Sequence, residues 1–299
     1  MKDADLNILL LTFGDNIQNH YQACFCILSL LKENPVPRIT LYTDVPEFYR
    51  MFSAHISIVE ISSQTLKRWQ GSAEFFWRIK CMAVLDMTQR YPGEHIVYVD
   101  SDTFCAGGLD ELQQGLQEGR TFMHLCEGNL SNLNTKTTRS MWQALKYTEH
   151  QGVSIRARTQ MWNAGLIALP ATIASSVADH SVAVCDSLCT TRAPRKLLEQ
   201  FAFSLALNHA VPLQPADQWV GHYWGNKPEW NNVITQFFLR SKMHSHSVED
   251  DIEALRNFSF AQVPLYRKVP AANARLKRWA DYLFSARDGQ RFTLVSRTD

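Results

Sequence analysis

The order of hydrophobic patterns predicts an α/β fold, with a mainly parallel central sheet and helices on both faces. Two observations carry this reading. Apolar runs of strand length alternate with helix-period segments through the first third of the chain. The runs are continuous rather than alternating, as in strands buried on both faces, and turn residues separate them.

Each element follows in turn. Asn7 to Phe13 is an apolar run closed by Gly14-Asp15, the pattern of a buried strand and its turn, and Ile17 to Leu31 reads as the next helix. Beyond the loop Pro35-Val36-Pro37, Arg38 to Thr43 predicts a second strand, Asp44 to Met51 a short helix and Ile56 to Ile61 a third strand. Ala73 to Tyr91 predicts one long helix, apolar at Phe76, Ile79, Met82, Ala83 and Leu85. Tyr91-Pro92-Gly93 stops it before the strand His95 to Val99. The second half is less regular. It offers a polar stretch from Asn129 to Ser140, a strand at Gly165 to Leu169, helices near Ile173 to Leu188 and Arg195 to Leu207, and a Trp-rich segment from Gln218 to Trp230. From Asp250 onward the chain reads as helical and irregular, and His244-Ser245-His246 reads as loop.

Composition narrows the function classes. The 299 residues are 45% hydrophobic and 20% charged, ordinary for a globular protein that folds without disulfides or metals. A formal net charge of +1 supplies no global field for nucleic acid, so none is expected as a partner. The seven cysteines are scattered, mostly in apolar runs, without Cys-x-x-Cys spacing. They read as small hydrophobes in a reducing compartment. The acidic start Met1-Lys2-Asp3-Ala4-Asp5 is unlike a signal peptide and the apolar run after it is too short to span a bilayer, so a cytoplasmic location is expected.

The sharpest chemical feature is His95 to Phe104, where an apolar strand ends on Asp100-Ser101-Asp102. In open α/β sheets ligands bind beyond the carboxyl ends of strands, so both carboxylates face the crevice. That arrangement suits Mg²⁺ or Mn²⁺ with coordination positions left for phosphate oxygens. The alternative is a solvated turn or a cap for a helix over Leu109 to Leu116. Asp3-Ala4-Asp5 has the same spacing but precedes its strand, so position discriminates between the two.

Val97 to Phe104, taken with the helix before it and Trp162-Asn163-Ala164-Gly165 after it, resembles the Asp-x-Asp glycosyltransferases of GT-A fold, nearest the glycogenin and bacterial lipopolysaccharide galactosyltransferase-like group. His222-Tyr223-Trp224-Gly225-Asn226-Lys227-Pro228 is similar to that group's His-x-x-Gly-x-x-Lys-Pro-Trp motif, with one residue deleted before the lysine and Trp230 set back by Glu229. The resemblance implies a GT-A fold divided into a nucleotide-sugar-binding half at 1–125, an acceptor-side half at 126–245 and a C-terminal helical extension at 246–299. It implies a metal-dependent hexosyltransferase using Mn²⁺ or Mg²⁺, a nucleotide-sugar donor, UDP-based by expectation, and a hydroxyl acceptor on a glycan or lipid-linked sugar.

Carried over residue by residue, Asp100, Asp102 and His222 would hold the metal and Lys227 the diphosphate. The alternative for His222 is a packed, hydrogen-bonded histidine. Arg78 and Lys80 would lie near the diphosphate, yet residues two apart point in different directions on a helix, so a solvated charge is the competing reading. Thr12, Phe13, Tyr21, Asp44 and Ser101 could surround the nucleotide at the sheet edge, with core packing equally open for Tyr21. Asn163, placed just before a strand, would read sugar hydroxyls or else serve a turn. Glu199 and Gln200 would face donor sugar and acceptor, Glu199 as base or as a plain helix-surface acid. The basic and aromatic tail, Arg275, Lys277, Arg278 and Arg287 among Trp279, Tyr282 and Phe284, fits peripheral contact with an anionic membrane at its inner surface, or a helix packed on the domain.

Two rivals remain. A haloacid dehalogenase-type phosphohydrolase also places Asp-x-Asp at a strand end, but Phe104 stands where that motif has Thr or Val. A non-catalytic sugar-nucleotide-binding protein would not need both aspartates.

Overall fold

A computed structural model describes residues 5–266 and Trp279. The chain falls into two compact units, Met1–Leu265 and Tyr266–Asp299. The fold below is that of the first. The basic positions proposed for membrane contact, Arg275, Lys277, Arg278 and Arg287, lie outside the described residues.

In chain order the first half runs β1 (Leu6–Leu11), α1 (Ile17–Leu31), β2 (Arg38–Thr43), β3 (Ser57–Glu60), α2 (Ser63–Trp69), α3 (Arg78–Arg90), β4 (His95–Val99), β5 (Thr103–Cys105), α4 (Leu109–Gln117) and β6 (Thr121–Asn129). The second half runs α5 (Lys136–Leu145), β7 (Glu149–His150), β8 (Val153–Ser154), β9 (Gln160–Leu169), α6 (Ala174–Cys189), α7 (Leu198–Ala210), β10 (Leu213–Pro215), β11 (Val220–His222), α8 (Lys227–His244) and α9 (Val248–Arg256). Seven strands form the main sheet in the order β10-β6-β9-β4-β1-β2-β3. All pairings are parallel except those of β9, which runs against both β4 and β6.

Period-two alternation explains why the strands read as predominantly apolar runs. Leu9, Ile96 and Tyr98 enter a core shared with α3, α6 and α7, while Ile8, Leu10, Val97 and Val99 enter a second core under α1, α4 and α8. Both faces are covered, so apolar residues dominate both, and the polar Asn7 of β1 and Thr40 of β2 are themselves buried. Burying one such Leu or Val contributes about 1.5–3 kcal/mol.

The structure corrects several expectations. Residues 73–77 are turn rather than helix: Glu74 sits at φ 49°, Arg78 folds its guanidinium back to the Trp69 carbonyl at 2.9 Å, and α3 starts only there. A separate helix, α2, precedes that turn, capped by Ser62. The short helix expected after Asp44 is of 3-10 type and spans Pro46–Phe52. Asn163 lies inside a strand rather than before one, because β9 begins at Gln160. The strands β5 and β6 carried no sequence prediction: β5 has three residues, and β6 mixes polar residues into an irregular ladder with β9.

Candidate metal centre

β4 delivers Asp100 to the carboxyl edge of the sheet, where its backbone N–H donates to the Gly165 carbonyl at 3.0 Å and extends the ladder by one bond. The chain then turns through half-buried Ser101 and buried Asp102 into β5. Thr103 pins this turn, its hydroxyl donating to the Asp100 carbonyl at 2.7 Å. β5 pairs antiparallel with β11, setting His222 opposite Thr103, and the Tyr223 N–H donates to the Asp102 carbonyl at 3.1 Å. A two-stranded ladder thus brings a late histidine to an early pair of aspartates.

His222 Nε2 lies 3.4 Å from Asp102 Oδ2 and 3.9 Å from Asp100 Oδ2. One ligand atom from each of the three residues falls within 4.8 Å of the others. The orientation of the imidazole follows from its other nitrogen. Asn163 Oδ1 accepts from the Gly165 N–H at 2.9 Å, which fixes that atom as the oxygen, and His222 Nδ1 lies 2.9 Å from it. Nδ1 must therefore carry the proton and donate. In the neutral ring Nε2 is then left with its lone pair toward the carboxylates, the tautomer a metal ligand needs. Gly165 makes this possible, since a Cβ there would stand 2.1 Å from His222 Nδ1. Two carboxylates and a correctly oriented imidazole fit Mn²⁺ or Mg²⁺.

Two lysines flank the aspartates. Lys227, first residue of α8, places Nζ 2.9 Å from Asp102 Oδ2 while its side chain stays 45% exposed. Burial would raise the Asp102 carboxyl, but His222 in its charged, metal-free form and Lys227 outweigh it and hold the group well below the usual carboxylate range. Lys80 Nζ is 2.9 Å from Asp100 Oδ1 and 3.8 Å from Glu199 Oε1. Burial alone would lower Lys80, yet Asp100 and Glu199 raise it above its ordinary value, so it is a cation. The Tyr98 hydroxyl also donates to Asp100 Oδ1, at 2.7 Å, leaving Oδ2 turned toward His222.

A second shelf of polar groups adjoins the centre. Glu127, on β6, accepts from Asn163 Nδ2 through Oε1 and from Gln200 Nε2 through Oε2, both at 3.3 Å. The Gln200 oxygen accepts from the Ala164 N–H at 3.4 Å. Glu127 was missed in the sequence because its strand was missed; burial raises its carboxyl despite the two amides. Glu199, in the first turn of α7, has one buried oxygen, Oε2, with no hydrogen-bond partner among the described residues. Burial pushes its carboxyl up, with Lys80 opposing.

The remaining predicted positions divide. Thr12 and Asp44 gather at the carboxyl ends of β1 and β2, where the Asp44 carboxylate accepts from the Gly14 N–H at 3.1 and 3.0 Å. Phe13 packs on Phe76, with ring centroids 5.4 Å apart, and Tyr21 lies against Phe48 and Phe238 at 5.8 and 5.3 Å. Among the described residues, no hydrogen bond or ion pair joins this group to the aspartates. Arg78 points away: it grips Asp186 of α6 through Nε at 2.5 Å and Nη2 at 2.8 Å. Its neighbour Lys80 turns inward, as a spacing of two on a helix requires.

No protein family and no curated protein matches the sequence. Solved structures similar to this chain include mouse xyloside xylosyltransferase 1 in its apo form, at 12% identity over 71% of this chain and 85% of that one, with a TM-score of 0.45. The apo bifunctional glycosyltransferase WbbM is similar at 12% identity over 72% of this chain, which spans 39% of that longer protein, with a TM-score of 0.44. An active-site mutant of LgtC is similar at 13% identity over 70% of this chain and 72% of that one, with a TM-score of 0.43.

Proposed function

We propose that this protein is a GT-A-type glycosyltransferase that moves a sugar from a nucleotide diphosphate donor, UDP-linked in the first instance, to a hydroxyl acceptor. The observation that carries the reading is the Asp100, Asp102 and His222 cluster at the end of β4, with the His222 tautomer set by Asn163 and with Lys227 beside it. These three residues would hold Mn²⁺ or Mg²⁺, which when bound supplies positive charge to a departing diphosphate.

The chain's own residues account for the rest. Lys227, half exposed and tied only to Asp102 among the described residues, is free to turn its ammonium onto phosphate oxygens. Thr12 and Asp44 offer a hydroxyl and a carboxylate at the neighbouring strand ends, where a nucleoside would lie. Asn163, Gln200 and Glu127 form a linked amide–carboxylate–amide set suited to sugar hydroxyls. Glu199, its carboxyl raised by burial, is the candidate to take the acceptor's proton.

The test is calorimetric titration of UDP into the protein with and without Mn²⁺, on wild type and Asp102→Ala, followed by a screen of UDP-sugars for transfer or hydrolysis. Metal-dependent UDP binding that Asp102→Ala abolishes is the expected result. Absence of binding by both UDP and GDP in the presence of Mn²⁺ would overturn the proposal.

A further inference from the structure

The segment 130–159 is inserted between β6 and β9, the strands that carry Glu127 and Asn163. It closes on itself at its base, where Asn129 pairs with Gln160 and the Leu130 N–H donates to the Thr159 carbonyl at 2.9 Å. It holds α5, opened by a Thr135–Thr138 capping box, and the short hairpin β7–β8. It is therefore an ordered module rooted beside the candidate centre.

Its charge is lopsided. It carries five basic residues, Lys136, Arg139, Lys146, Arg156 and Arg158, and one acid, Glu149, whereas the rest of the chain has more acids than bases. All five are exposed, and no ion pair among the described residues involves any of them. Glu149 offsets only one of them: its carboxylate accepts from the Ser154 hydroxyl at 3.1 Å, which joins it to Arg156 through Ser154, and a net excess of four cations remains. Arg156 reaches only neutral oxygens, the Ile155 carbonyl at 3.5 Å and Ser154 Oγ at 3.4 Å.

Arg156 and Arg158 stand over a hollow of about 310 Å³ whose wall also includes Ser154, Gln160, Asn208 and His209 and contains no acid. The hollow and the centre share two elements. Gln160 is three strand residues before Asn163, about 10 Å at the usual rise, and is directed to the other face of β9. Ser204, also in the wall, is one helical turn from Gln200. Elsewhere on the module Tyr147 is 68% exposed and packs its ring edge against Trp142, 5.9 Å between centroids. It is the one exposed large apolar side chain among the described residues of the module. A membrane-docking face would show a band of such residues beside its cations.

We infer that the insertion 130–159 holds an acidic saccharide, one bearing carboxylate or phosphate groups, with Arg156 and Arg158 on its anionic groups, and that the acceptor is such a saccharide. The assignment of the saccharide as acceptor rests on the glycosyl-transfer reading, while the binding site itself does not. Guanidinium forks match carboxylate and phosphate geometry, and the Asn208, Gln160 and Ser154 side chains supply donors and acceptors for ring hydroxyls.

The experiment is calorimetric titration of tetragalacturonate into the full chain, against neutral maltotetraose and anionic phosphatidylglycerol vesicles, for wild type and the Arg156→Ala/Arg158→Ala variant. UDP with Mn²⁺ is titrated in parallel. The expected result is saturable tetragalacturonate binding that weakens with salt, exceeds maltotetraose binding at least fivefold, and falls at least fivefold in the variant while UDP affinity holds. Equal binding of acidic and neutral tetramers, unchanged binding in the variant, or binding to vesicles alone would overturn it. If UDP fails to bind wild type while tetragalacturonate behaves as expected, the donor reading falls and the acidic-saccharide site stands. A second variant, Arg156→Lys/Arg158→Lys, keeps the charge but not the fork, and is expected to recover only part of the lost affinity.

Discussion

At the scale of single residues, the centre depends on a relay that runs from the Gly165 N–H through Asn163 to His222. Asn163→Ala removes the acceptor that holds the imidazole proton on Nδ1, so Mn²⁺ affinity is expected to fall about 10–100-fold, measured by calorimetry or by the free Mn²⁺ electron paramagnetic resonance signal. Gly165→Ala drives a methyl group into the same ring and is expected to lose metal binding and about 1–3 kcal/mol of stability in a urea titration. Lys227 acts in the opposite sense. Its ammonium sits on Asp102 Oδ2, an oxygen that a metal held there would also need, so Lys227→Met should bind Mn²⁺ more tightly in the absence of nucleotide and UDP more weakly in its presence. Equal losses of both affinities would sink that coupling. The two aspartates could be read from the sequence because their chemistry is local to one strand end. The partner that fixes the His222 tautomer could not, since it comes from another strand.

At the scale of elements, α3 shows how two neighbouring charges acquire unrelated tasks. Lys80 faces Asp100, while Arg78 clamps α3 to α6 through Asp186. Arg78→Met is therefore expected to cost about 1–3 kcal/mol of stability while leaving UDP–Mn²⁺ affinity unchanged. A matched loss of nucleotide affinity would place Arg78 back in the site. The β5–β11 ladder is the complementary case: a Cβ at Gly221 would meet the Phe104 ring at 2.3 Å, so Gly221→Ala should weaken metal binding by displacing His222. Strands β1, β2 and β4 were legible because each buries both faces and carries a predominantly apolar run. Strand β6 was not, because its second half lines the polar centre with Glu127 and departs from regular pairing. Glu127 was lost with it.

At the scale of the whole molecule, the sheet edge gathers residues from β4, β6, β9, β11, α3, α7 and α8 into one polar zone between two apolar cores. Its burial leaves a mark on pH dependence. Burial, together with neighbouring His222, lowers His124 to about 4 from an ordinary 6.5. As pH falls through 6.5 the unfolded chain takes up a proton that the folded chain refuses until about pH 4. Stability is therefore full above 6.5 and declines between those values, by up to ~3 kcal/mol from this group. His95 and His150, also lowered by burial, act in the same direction. Urea titrations at pH 7 and 4.5 should show this loss, and a smaller one in His124→Asn, which can still donate to the Val220 carbonyl; an unchanged pH slope in the variant would refute the assignment to His124. The sequence by itself determined the α/β class, the order of the first strands, and the site of Asp100 and Asp102, because periodicity and strand-end chemistry are local properties. Only the tertiary structure decided that β9 runs backward through the sheet, that Asn163 and Glu127 stand beside His222, that Lys80 turns inward and Arg78 outward, and that Arg156 and Arg158 meet Asn208 and His209 of α7 around one hollow. Those are relations between distant segments, fixed by which strands pair and which helices pack, and no local pattern encodes them.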